Sequence, residues 1–146
     1  MYKRQVSGGS GIDIKDLDFS NETVNDTQKK IVAVATNSAK YGISARSGYC
    51  QAWVADVYQA VTGSRGSAHC ALCAADMWAV SSDFSQIPVG ATVYGYSSSQ
   101  YGHVGIYIGN GMVAHNIGEI KIQSLESWIK TYKGFAWGWE NGKKLV

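Results

Sequence analysis

The chain has 146 residues, 45% of them hydrophobic, which is enough for one domain with a core of its own. A net charge of +2 is too small for electrostatic capture of nucleic acid, and no apolar run approaches the roughly eighteen residues that a membrane span requires. Seventeen glycines beside a single proline suit a strand-rich domain with many tight turns.

The first five residues, Met1-Tyr-Lys-Arg-Gln5, look like the translation of a transposase adapter from a sequencing library, with a GTG start read as Met. Residues 1–24, which continue through Ser7-Gly-Gly-Ser-Gly11 and an acidic stretch, are therefore expected to be an adapter-like start and a poorly ordered linker. The domain is expected to occupy 25–146.

Asn25-Asp-Thr followed by an apolar pattern predicts a helix at about 26–40, ended by Tyr41-Gly42. Further on, Trp53, Val54, Val57 and Val61 recur as a helical stripe headed by Cys50. That predicts a second helix over 48–61, with Ser47 as its cap and Thr62-Gly63 as its stop. Cys50 then sits in the first turn, where backbone N–H groups and the helix dipole favour a thiolate. A third apolar segment, His69-Cys-Ala-Leu-Cys-Ala-Ala-Asp-Met-Trp78, carries a Cys-x-x-Cys pair. No second Cys/His pair completes a four-ligand zinc site, and Cys70, Cys73 and Met77 share a helical stripe with Ala74. A buried core face is the expectation, with a redox pair as the alternative.

Ile87 through Tyr96 predicts a strand, and Tyr101-Gly-His-Val-Gly-Ile-Tyr-Ile-Gly-Asn-Gly-Met-Val-Ala-His115 predicts a β-hairpin. Val104, Ile106 and Ile108 alternate with Tyr101, His103, Gly105 and Tyr107, the period of a half-buried strand with His103 on its less apolar face. A two-residue loop would set His115 opposite Val104 or Ile106. A three-residue loop, Gly109-Asn110-Gly111, sets it opposite Gly105 and makes His103 and His115 diagonal neighbours, within roughly 7–8 Å. The last register is favoured, because it keeps Val104, Ile106, Ile108 and Met112 on one buried side. Strands at 119–122 and 135–139 flank a short helix at 125–132. Helices first and an antiparallel sheet afterwards make an α+β domain.

A cysteine at a helix start, a histidine in an HVGIYIGNG hairpin about fifty residues on, and a polar residue twelve positions later resemble the NlpC/P60 family of papain-like cell-wall peptidases. The resemblance spans roughly residues 38 to 140 and implies N-terminal helices packed on a central antiparallel sheet. It implies Cys50 as nucleophile, His103 as general base and acid, His115 as the group that orients His103, and neither metal nor cofactor. A zinc site of Cys50, His103 and His115 is the competing use of the same residues. The implied substrate is bacterial peptidoglycan, cut in the stem peptide at the D-glutamyl–diamino acid bond. The family usually shows Asp-Cys-Ser-Gly where this chain has Tyr49-Cys50-Gln51-Ala52, which brings it nearer the CHAP amidases and makes the muramoyl–L-alanine amide the alternative bond. A non-catalytic cell-wall-binding module is the third reading. Gln51, Tyr41 and Tyr49 are candidates to hold the oxyanion with the Cys50 N–H, and Trp53, Tyr94 and Tyr101 are candidates to line a sugar-peptide groove. The expected place of action is outside the cell or in the wall, after export by a bacterium or delivery by a phage, with further wall-binding domains missing from this chain.

Overall fold

The computed structural model describes residues 22–146, so the adapter-like start and most of the expected linker lie outside the described residues. Helix α1 (Asp26–Thr36) starts with a capping box: Asn25 Oδ1 accepts the Gln28 N–H at 2.9 Å and Gln28 Oε1 accepts the Asn25 N–H at 2.7 Å. It ends before the expected 40, because the chain tightens into a 3₁₀ turn over 38–41 that closes on left-handed Gly42.

Helix α2 (Cys50–Thr62) begins later than expected, and its cap is Tyr49 rather than Ser47. Gly48 lies between them at φ +83°, a conformation that stops Ser47 from joining the helix. Helix α3 (Ala71–Trp78) turns Ala71, Ala74 and Ala75 inward, whereas Met77 is exposed. The expected Cys70–Cys73–Met77 core face is thus not formed, and Cys70 and Cys73 are joined as a disulfide.

Strands β1 (Ala79–Ser81), β2 (Thr92–Gly95), β3 (His103–Gly109), β4 (Met112–Asn116), β5 (Ile120–Ser124) and β6 (Ala136–Gly138) form one antiparallel sheet ordered β1-β6-β2-β3-β4-β5. Helix α4 (Leu125–Tyr132) links β5 to β6. The chain is therefore α+β, with four α-helices among the described residues. β1 is three residues long, too short for a periodicity to reveal it. β2 is shorter than the expected 87–96, since Pro88 lacks a donor and Gly90 turns at φ +94°.

The hairpin resolves its register in an unforeseen way. Asn110 and Gly111 both have positive φ and form a two-residue turn between Gly109 and Met112, and a bulge beside Ile108 then restores the pairing Tyr107↔Val113 and Ile106↔Ala114. That is the favoured register, reached by turn plus bulge instead of a three-residue loop. Gly105 accordingly faces His115, whose Cβ would lie 3.1 Å from a Cβ added there.

β3 is buried along its whole length, not half-buried. α1 and α2 pack on each other and on β3 and β4, with Ile31, Val32, Val54 and Val57 in one core with Val104, Ile106 and Ile108. α4 packs on β4 and β5 and covers the histidine-bearing face with Trp128 and Tyr132. No helix among the described residues is long and apolar enough to cross a membrane.

Candidate active site

Cys50 is the first residue of α2, and its thiol lies close enough to the backbone N–H groups of Gln51 and Cys50 itself at the helix start, and of Val104, the residue after His103, for them to favour its anion. The loop leading into it is tied to the histidine strand. Asn116, which follows His115, donates its side-chain amide to Arg46 O at 2.8 Å and to Tyr49 O at 3.3 Å. One side chain thereby fixes the loop that leads into Cys50 against the end of β4.

The two histidines meet directly, His103 Nε2 lying 2.8 Å from His115 Nδ1. Their protons follow from the far end of the chain of hydrogen bonds. Thr131 Oγ1 donates to Ser127 O at 2.9 Å, so toward Gln123 it can only accept, and the group 3.2 Å away is the Gln123 amide nitrogen. The Gln123 oxygen therefore faces His115 Nε2 at 3.1 Å and takes its proton. His115 Nδ1 is then bare and accepts from His103 Nε2–H, which leaves His103 Nδ1 as the unprotonated nitrogen.

Burial governs the charges. It pushes the Cys50 thiol up, outweighing the three N–H groups, so the expectation that the helix start alone would favour a thiolate is reversed in the free site. It also pushes His103 down to about 4 and His115 down to about 3, the latter helped by repulsion from His103. Thiol and imidazole are both neutral before anything binds.

Tyr132 completes this arrangement and was not legible as a site residue. Its ring stacks on His103 at 4.2 Å between centroids, and burial and the nearby Cys50 sulfur raise its hydroxyl's pKa. Trp128, fully buried, lies edge-on to His115 at 6.3 Å. Because Tyr132 is what separates one face of the His103 ring from water, Tyr132→Ala is expected to raise the His103 pKa from about 4 toward its ordinary 6.5, while Tyr132→Phe leaves it low. NMR titration of the imidazole C–H signals measures this directly. An unchanged titration in the alanine variant would show that the stack does not dry the ring.

The other expected site residues separate into two groups. Tyr49 and Tyr101 are exposed and border a cavity of about 340 Å³ with Cys50, Gly48, His69 and Cys70. Trp53 and Tyr94 do not reach it: they are 1% and 0% exposed, Trp53 Nε1 donating to Ser38 Oγ and Tyr94 accepting from Thr92 Oγ1, so both belong to the core, and Trp53 borders a separate cavity of about 250 Å³ with Tyr49 and Ala52. Gln51 is also turned away. Its amide nitrogen donates to both Glu140 carboxylate oxygens, at 2.9 and 3.1 Å, which occupies the donor that an oxyanion would need. Tyr41 lies on the 3₁₀ turn, exposed, and is not among the residues bordering the Cys50 cavity. Sequence reading also missed Gln123 and Asn116, polar residues whose strand positions alone do not distinguish them from surface.

With this geometry in hand, comparison with solved structures finds NlpC2 from Trichomonas vaginalis, at a TM-score of 0.55 and 17% identity. The chain has an NlpC-like fold. The similarity covers 89% of this chain and 50% of that one, so this chain spans about half the length of the protein it matches. No protein-family model matches the chain, and no curated protein does.

Proposed function

We propose that this chain is a cysteine hydrolase of bacterial peptidoglycan, an endopeptidase that cuts the stem peptide at the D-glutamyl–diamino acid bond. The observation that carries the reading is the hydrogen-bonded run Gln123–His115–His103 on a strand whose next residue, Val104, brings its backbone N–H to the Cys50 thiol. The NlpC-like fold and the hairpin motif support the same class.

In the proposed reaction the thiol is neutral at rest, so its proton passes to His103 Nδ1 as the sulfur attacks the peptide carbonyl. His103 becomes an imidazolium braced by His115, then protonates the departing amine. The Cys50 backbone N–H is placed to stabilise the oxyanion at the head of α2, with the Tyr49 or Tyr101 hydroxyl as a second donor. Water, activated by the same nitrogen, clears the thioester. Keeping the imidazole neutral down to about pH 4 extends its base form well below the usual range, so the acid limb of the rate profile is expected near 4 rather than 6.5.

Digestion of defined muropeptides with mass analysis of the products tests the reading. Release of a disaccharide carrying L-Ala-D-Glu supports it. A peptide-free sugar would reassign the bond to the muramoyl–L-alanine amide, and intact muropeptides after long incubation would leave a wall-binding module.

A further inference from the structure

The Cys70–Cys73 disulfide plays no part in the proposed hydrolysis, yet its surroundings give it chemistry of its own. Cys70 caps α3, and its sulfur accepts the Cys73 N–H at 3.0 Å, so an electron pair left on Cys70 Sγ would sit at the positive end of the helix. Cys70 borders the same cavity as Cys50, and Cys73 is half-buried on the first turn of α3. Between them, Leu72 N–H donates to Tyr101 O at 3.0 Å, and the Leu72 side chain fills the space beside Gly102, where an added Cβ would come within 2.6 Å of Leu72 Cγ. Gly102 immediately precedes His103. The disulfide loop thus clamps the turn that holds the approach to β3.

We propose that Cys70–Cys73 is a second thiol-reactive site, an exchangeable disulfide that takes electrons from low-molecular-weight thiols and whose state is felt at Cys50. A small thiolate attacks Cys73 Sγ, forming a mixed disulfide and expelling Cys70 as a thiolate held by the Cys73 N–H. A second small thiolate attacks the sulfur of the first, which releases the small-molecule disulfide and frees Cys73. Two thiols are oxidised to one disulfide, the protein's disulfide is reduced to two thiols, and the two protons lost by the reductant are taken up by Cys70 and Cys73. Stabilising the Cys70 leaving group is what makes such a bond reducible where a purely structural disulfide resists. The exchange does not depend on the hydrolase reading, and neither readout below requires turnover.

Folded protein is equilibrated in glutathione buffers from fully reduced to fully oxidised, quenched with an alkylating reagent, and mapped by mass spectrometry. The expected result is that Cys70 and Cys73 pass together from unlabelled to labelled within that range, with the circular dichroism unchanged. The rate at which iodoacetamide labels Cys50 is expected to differ several-fold between the two states, and Leu72→Ala is expected to shrink that difference while the exchange persists. A disulfide that stays closed in reduced glutathione until the protein is denatured would overturn the proposal. Equal Cys50 labelling rates in the two states would overturn its coupling to the cavity.

Discussion

Replacing Cys50 with alanine is expected to abolish release of soluble fragments from purified peptidoglycan and to leave the fold intact. The two halves of that result have separate causes. The thiol is the nucleophile in the proposed reaction, and without it His103 is left with water, a weaker nucleophile, against a peptide bond that is less reactive than a thioester. The side chain is partly buried and its removal deletes one small group, which costs stability on the order of 1 kcal/mol. A turbidity assay on cell walls and a thermal melt of the same sample measure both. Full activity in the variant would sink the cysteine mechanism. So would wild-type activity that chelators remove and zinc restores, since this would give Cys50, His103 and His115 to a metal.

His103→Ala is expected to lower turnover by about 10²–10⁴-fold, the usual worth of a positioned acid–base group, with a further loss because nothing else takes the thiol proton. His115→Asn is expected to do less harm. An asparagine oxygen in that position can still accept from His103 Nε2–H, so the tautomer survives although the reach to Gln123 is shortened. Steady-state rates of the two variants decide the matter. Equal losses, or a greater loss at His115, would mean that His115 takes part in the proton transfer and does not merely hold a ring.

Much of this site could be read from the chain because its parts obey simple periods. Cys50 heads a helical stripe and His103 lies on a strand with a period of two, so each side chain's direction follows from the backbone alone. The bulge beside Ile108 does not follow from any period; it emerged because a turn with left-handed Asn110 and Gly111 prefers two residues while the buried set demands the other register. The aromatic cover was missed for a related reason. Residues 125–132 read as a connecting helix, and only the tertiary fold shows that Trp128 and Tyr132 lie over the two imidazoles. The sequence positions of Trp53 and Tyr94 likewise say nothing of which side of the helix or sheet they fill, and both pack into the core. The thiol's raised pKa has the same origin: helix position is legible, but the depth of burial is a property of everything packed around it.

The choice of basic nitrogen on His103 is made surprisingly far away. A row of hydrogen bonds between groups that can each give or accept has two mirror-image settings, and nothing in the imidazoles themselves prefers one. The tie is broken at Thr131, whose hydroxyl hydrogen is already spent on the carbonyl one helical turn back, so that it can only receive. From there the setting propagates through Gln123 and His115 without further choice. An ordinary backbone-directed hydroxyl in α4 thus acts as the reference that gives the whole row a single direction, and removing it, as in Thr131→Val, would leave Ser127 as the remaining hydroxyl beside the Gln123 amide and let the row run either way.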